Sequence, residues 1–158
     1  PEMHQARKGQ QWYFGMKLHI GVDSQLGMAH SAVVTAANVH DKHPLPDLLH
    51  GNETRVYGDS AYASQKALIE GKAPKARDFT NQRTRQGGIV DEAVKAKNRN
   101  KSRIRSRVEH VFGVLKRLWG FGKVRYRGLA KNATRAFTAL ALANIYLGRQ
   151  RLMAQVRL

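Results

Sequence analysis

Two carboxylates stand out by where they fall. Asp59 closes a short apolar segment, Arg55-Val56-Tyr57-Gly58-Asp59, and helix-forming residues follow it. A carboxylate at the C-terminal end of a strand sits where open α/β sheets place their ligands. Glu109 is the one acid among residues 93–158, which hold seventeen Lys and Arg. Were solubility and phosphate affinity all that mattered there, a lone acid in a +16 block would be a liability. Two distant carboxylates, in a chain with no cysteine, suit hard cations such as Mg²⁺ or Mn²⁺. Two such ions can activate water and stabilise a leaving oxygen in phosphodiester chemistry.

The bland readings are concrete. Asp59 at a strand end is also a common helix cap. Glu109 can form an i,i+4 ion pair with Arg105, worth about 0.3 kcal/mol. At ~100° per residue, Arg105, Glu109 and Lys116 fall within about 40° of one another on a helix, along the edge of its apolar face. Asp23 sits in Asp23-Ser24-Gln25-Leu26-Gly27, where turn chemistry is the default. His40 and His43 flank Asp41-Lys42, a poor zinc spacing without cysteine partners. The histidines are read as structural or surface residues.

The elements that position these residues can be read from periodicity. Residues 1–11 are polar and read as irregular. Trp12 to Val22 alternates, with Met16, Leu18, Ile20 and Val22 on one side, and Met28 to Val39 is a second extended run. The two form an antiparallel hairpin. Asp41 caps a short helix through Leu49, with Pro44 in its first turn. After the strand that ends on Asp59, Ser60 caps a helix from Ala61 to Glu70, stopped by Gly71. Residues 72–88 lack periodicity and read as loop or an indistinct strand, and Ile89 to Asn100 as an exposed helix.

Lys101 to Trp119 is the clearest helix. Ile104, Val108, Val111, Phe112, Leu115, Leu118 and Trp119 make one apolar face at 3.6-residue spacing. Gly120-Phe121-Gly122 ends it, and Lys123 to Asn132 is a basic loop. Asn132 caps a last apolar helix, Ala133 to about Met153. Trp119 and Phe121 are expected to finish the core, whereas Tyr126, between Arg125 and Arg127, is placed at a nucleic acid. Tyr62 either supports Asp59 or packs. The order of elements gives a mixed α/β domain with helices covering a sheet.

Charge narrows the partner. The 158 residues carry 28 Lys and Arg against 11 Asp and Glu, a formal net charge of +17. Residues 1–92 contain eleven cations and ten acids, close to neutral, so almost the whole excess lies in residues 93–158. A block of this kind engages phosphates through counterion release. A 42% hydrophobic content argues against wholesale disorder. The longest apolar run, Thr138 to Leu147, is about half of what a membrane span needs. The composition therefore points to a cytoplasmic protein whose partner is a polyanion, with no membrane involved. A small-molecule enzyme fits the charge poorly; a non-catalytic basic nucleic-acid-binding protein remains the alternative to a nucleotidyl transferase.

Four stretches carry a family resemblance: PEMHQARKGQQWYFGMKLHIGVDSQLG, TAANVHD, VYGDSAY and RSRVEHVFGVLKRLWGFGKVRYRGLAKN. They resemble the catalytic domain of bacterial insertion-sequence transposases of the DDE type, in the large group of insertion sequences four and five. The most specific is R-x3-E-x6-K, here Arg105, Glu109 and Lys116. The resemblance implies a ribonuclease-H-like α/β fold, a mixed sheet flanked by helices, with residues 1–158 forming a single catalytic domain. It also implies cleavage and joining of DNA strands with two Mg²⁺ or Mn²⁺ ions. By the same resemblance Asp59 and Glu109 are the second and third metal-binding acids, and Arg105 and Lys116 contact DNA near the cut. Arg103, Arg107, Arg117, Lys123, Arg125, Tyr126 and Arg127 extend that DNA-binding surface. Partners would be insertion-sequence ends and target DNA, bound by a homo-oligomer and associated with the nucleoid.

The sequence departs from the family pattern twice. A Tyr usually stands three residues before the motif Arg, and here that position is Ser102. The first catalytic Asp of such enzymes lies on a strand ahead of the hairpin, and residues 1–11 contain none. The expectation is a chain that begins after the first acid, lacks the first strand, binds DNA and cuts it weakly or not at all alone.

Overall fold

A computed structural model describes residues 2–86 and 89–156. Gly87 and Gly88, part of the stretch read as loop, lie outside the described residues. The chain divides into two compact units, residues 1–40 with 108–158, and residues 41–107.

The first unit is built on three antiparallel strands in the order β1 (His4–Lys8), β2 (Gln11–Val22) and β3 (Ala29–Ala36). The twelve-residue β2 pairs β1 through its first half and β3 through its second. The β2–β3 hairpin is the one the alternation predicts. Its turn is tied by Asp23, whose Oδ1 accepts from the Gln25 and Leu26 backbone N–H groups. Strand β1 corrects the expectation of irregular chain over residues 1–11. Its residues are polar, and a strand held by backbone pairing to an edge needs no apolar alternation.

Two helical segments cover this sheet, residues 108–118 and the last helix of the chain. Helix α3 runs Glu92–Gly113 and passes directly into a single π-helical turn, Val114–Leu118. The separate helices expected over 89–100 and 101–119 are thus one helix, starting at Glu92 because Ile89–Val90 pair as a strand. Helix α4 runs Leu129–Val156, four residues earlier and three later than expected. Val111, Val114, Leu115, Leu140 and Ala143 form the buried core, against Leu18, Ile20, Val22, Ala29 and Ala32 of the sheet. The Asn144 side-chain amide fastens α4 to β3, accepting from Ala29 N–H at 2.8 Å and donating to Ala29 O at 2.7 Å. His19 is buried on the other side of β2, with Nε2 2.9 Å from Thr35 Oγ1.

The expected apolar face holds only as far as Leu115. Leu118 and Trp119 are 58% and 40% exposed. The cause is the π turn. Trp119 N–H bonds the carbonyl of Val114, five residues back, and the wider turn takes the residues after it out of the 3.6-residue phase. Gly120, at φ +61°, then reverses the chain, and Phe121 returns to the core edge. So Phe121 finishes the core as expected and Trp119 does not.

The second unit is smaller. Strand β4 (Arg55–Val56) pairs in parallel with β5 (Arg77–Asp78), and β6 (Arg85–Gln86) pairs antiparallel with β7 (Ile89–Val90). The stretch 72–88 therefore contains two short strands. Helix α1 is only Leu45–Leu48, with Pro44 at the N-cap position and no side-chain cap, so Asp41 does not play the capping role expected of it. Helix α2 spans Lys66–Lys72 and contains Gly71 rather than stopping at it. Leu45, Val56 and Ile69 form the core of this unit, with Tyr62 packed against them.

Candidate active site and nucleic-acid interface

Asp59 lies three residues beyond β4, in the segment linking it to α2. The helix expected at Ala61 is instead a 3₁₀ turn, Ser60–Tyr62, and Asp59 rather than Ser60 caps it: Oδ1 accepts from Ala61 N–H at 2.9 Å. The cap engages one carboxylate oxygen, and the half-buried side chain keeps the second for another donor or a cation.

The backbone here is closely packed. A methyl group added at Gly58 would come to 2.9 Å of the Tyr62 ring and 3.2 Å of Thr80 Cγ2, so only glycine fits without movement. Asn81 N–H donates to Gly58 O at 2.9 Å, which extends the β4–β5 pairing to the residue before Asp59. Helix α3 is tied to the same place. Lys101 Nζ donates to Thr80 O at 2.9 Å, and Asn81 Nδ2 donates to Ser102 Oγ at 2.9 Å. Ser102, which stands where the family pattern has Tyr, thus has a structural partner of its own.

Of the two roles expected for Tyr62, the structure shows packing. It packs in the small core, and its phenol feels Asp59. Burial first, then the negative charges of Asp41 and Asp59, push its pKa up to about 12. Glu53, in the loop before β4, shifts the other way. Burial alone would raise its carboxyl, but backbone hydrogen bonds from His50, Glu53 and Gly51, with the charge of His50, hold it below the ordinary range.

Glu109 belongs to the other unit, on the last turns of α3, between half-buried Val108 and fully buried Val111. Its side chain is exposed. Arg105 and Arg107 are half-buried, and Arg103, Lys116, Arg117, Lys123, Arg125 and Arg127 are exposed. Lys116 lies in the π turn, so its place relative to Glu109 no longer follows the ideal helical wheel; its ammonium stands 5.1 Å from the Phe112 ring centroid. Nothing in the geometry brings Asp59 and Glu109 into one compact unit: one lies in residues 41–107, the other in 108–158.

Among the described residues, no group of three or more His, Cys, Asp or Glu could hold a metal ion. The donor set nonetheless suits Mg²⁺ or Mn²⁺ in kind. Each acid offers hard carboxylate oxygens, and such ions keep several waters and take one or two protein carboxylates alongside substrate phosphates.

The loop between the π turn and α4 is more ordered than its sequence suggests. Asn132, expected to cap α4, lies inside its first turn and is 7% exposed. Its Oδ1 accepts from Arg125 and Tyr126 N–H at 3.4 and 3.3 Å, and its Nδ2 donates to Tyr126 and Gly128 O, each at 2.7 Å. The loop thereby presents Tyr126 at 51% exposure between two exposed arginines. Sequence reasoning missed Lys131 and Arg135, which line a groove beside this loop. Their signal was faint: Lys131 falls in the stretch that reads as a basic loop, and Arg135 in an apolar helix that also carries Arg149 and Arg151.

Among the described residues, no helix is long and apolar enough to cross a membrane. A scan of protein families matches residues 2–145 to one described as a transposase DDE domain. No solved structure matches the chain.

Proposed function

The chain belongs to the family of transposase DDE domains, and from that premise we propose that it serves metal-dependent DNA strand cleavage and strand transfer, with Asp59 and Glu109 as two of the metal-binding acids. Membership of the family implies DNA transposition. The observation that carries the proposal is Glu109, an exposed carboxylate and the one acid among residues 93–158, which hold seventeen Lys and Arg.

The residues act as follows. Asp59 is oriented by its Ala61 N–H bond, and the residue before it, Gly58, is packed closely against Tyr62 and Thr80. Glu109 is held by a helix that buries Val111 and Leu115. Arg103, Arg105, Arg107, Lys116, Arg117, Lys123, Arg125 and Arg127 take DNA phosphates, with Tyr126 among them. Mg²⁺ or Mn²⁺, when bound, supplies activation of water and stabilisation of the leaving oxygen. The fold we assign is ribonuclease-H-like, with residues 1–158 as one catalytic domain. The substrates are insertion-sequence ends and target DNA, bound by a homo-oligomer in the cytoplasm, at the nucleoid.

Strands β1 and β2 contain no carboxylate, and Asp23 is engaged in its turn. Residues 1–158 alone therefore bind DNA but cut it weakly or not at all. A nicking assay on this chain with Mg²⁺ or Mn²⁺ tests the point; robust turnover abolished by Asp59→Ala would overturn it. Binding itself should weaken steeply with salt, at a slope of log K against log salt of about −5 to −7 if six to eight phosphates are neutralised. A purely binding protein would show the same slope, but its function would survive Glu109→Gln in the full-length protein.

A further inference from the structure

Leu118 and Trp119, which the apolar pattern of α3 assigns to the core, are instead turned outward, and Trp119 lines a groove that Lys131 and Arg135 also line. The π turn and Gly120 expose Trp119, and the Asn132 side chain fixes the loop that exposes Tyr126. Between these two aromatics lies a groove of about 800 Å³, bordered also by Lys131, Thr134, Arg135 and Leu142. A π turn lengthens a helix by one residue at a cost in hydrogen-bond geometry, and such turns gather at functional sites. Here its effect is to take a tryptophan out of the core and place it on the rim of a basic groove.

The groove has the two parts that an unpaired nucleotide requires. Trp119 and Tyr126 offer aromatic surface, 40% and 51% exposed, and the Trp119 ring is braced by Tyr146, with centroids 6.3 Å apart and planes at 72°. Lys131 is exposed for a phosphate. Arg135 is half-buried and prepositioned: its guanidinium stands 4.3 Å from the Phe121 centroid, and Nη1 donates to Lys123 O at 3.0 Å. Stacking on an aromatic ring accepts any base, and a fixed guanidinium loses little freedom when it meets a phosphate. A duplex keeps its bases stacked on one another and has no use for the aromatic walls.

We propose that this groove binds a single-stranded DNA segment, stacking one unpaired base on Trp119 and Tyr126 and holding its phosphate with Lys131 and Arg135. The proposal rests on the DNA-cleaving reading and deepens it, because it gives the Tyr126 loop a task that the phosphate contacts of the duplex do not.

The test is fluorescence anisotropy with a labelled single-stranded oligodeoxynucleotide, the same sequence as duplex, and the same sequence as single-stranded RNA. The expected result with Trp119→Ala is a loss of about fivefold or more in single-strand affinity with duplex affinity changed less than twofold; Tyr126→Ala, at a residue that also faces duplex phosphates, should lose about fivefold or more on single strand and less on duplex. Tyr126→Phe should retain single-strand affinity, and Lys131→Ala should reduce the single-strand salt slope by about 0.7. Equal losses on single strand and duplex, no loss on either, or tighter binding of RNA than of DNA would each overturn the proposal. Thermal melting of each variant confirms folding, and Tyr126→Phe with Lys131→Ala keeps the test open should an alanine variant fail to fold. Metal-dependent cleavage is read separately at Asp59 and Glu109, so failure of the groove and failure of the cleavage reading are distinguishable.

Discussion

The two acids are held in opposite ways. Asp59 is half-buried, caps a 3₁₀ turn, and lies where an added methyl group on the preceding residue would strike Tyr62 and Thr80. Glu109 stands exposed on a helix whose opposite side is anchored by Val111 and Leu115. The first acid is positioned by its immediate backbone, the second by the packing of a whole helix. The contrast teaches where each is vulnerable: Asp59 to changes in the few residues touching it, Glu109 to loss of core volume one to six residues away.

The largest effect should come from the helix side. Leu115→Ala removes a fully buried side chain from the shared core of α3, α4 and the sheet, and should destabilise by about 2–5 kcal/mol in denaturant unfolding. An effect near zero would mean that the packing of α3 does not hold Glu109. Gly58→Ala tests the other side. The clash with Tyr62 and Thr80 should cost about 1–3 kcal/mol, and a tolerated alanine would break the account of Asp59 as locked by its neighbours.

Titration sharpens the contrast further. Tyr62 has a folded-state pKa raised to about 12 from an ordinary 10, so the stability it contributes is full below pH 10 and is lost as pH rises from there toward 12. Asp59→Asn removes one of the charges responsible, and spectrophotometric titration should then find the Tyr62 phenol ionising at lower pH. The smallest effect belongs to Glu53. Its carboxyl is held below the ordinary range, so its contribution is present above the unfolded-state value and fades as pH falls through the folded one. Glu53→Gln should flatten the acid limb of the stability curve slightly, measured by thermal melting against pH.

How much of this was legible in the sequence follows from what each element depends on. The β2–β3 hairpin and the Val111–Leu115 face were legible because burial writes side-chain periodicity into the chain. Strand β1 was not, since backbone pairing at a sheet edge asks little of its side chains. The π turn left no mark in composition, so Leu118 and Trp119, in phase with the core on paper, were assigned to it. Asn132 was read as a cap because Asn before an apolar run usually is one; its bonds to a loop six residues away depend on a fold that sequence spacing does not reveal. Asp59 and Glu109 were legible as candidates through charge contrast and motif. Their settings were not, because both depend on packing.

The most direct test of the central claim compares Asp59→Asn and Glu109→Gln in the full-length protein, with Mn²⁺-dependent strand cleavage and duplex affinity measured together. The account predicts that each substitution lowers cleavage by at least about a hundredfold (roughly 2.7 kcal/mol) and leaves DNA affinity unchanged or slightly higher. Cleavage that persists in either variant, or is lost only in step with DNA binding, would contradict it.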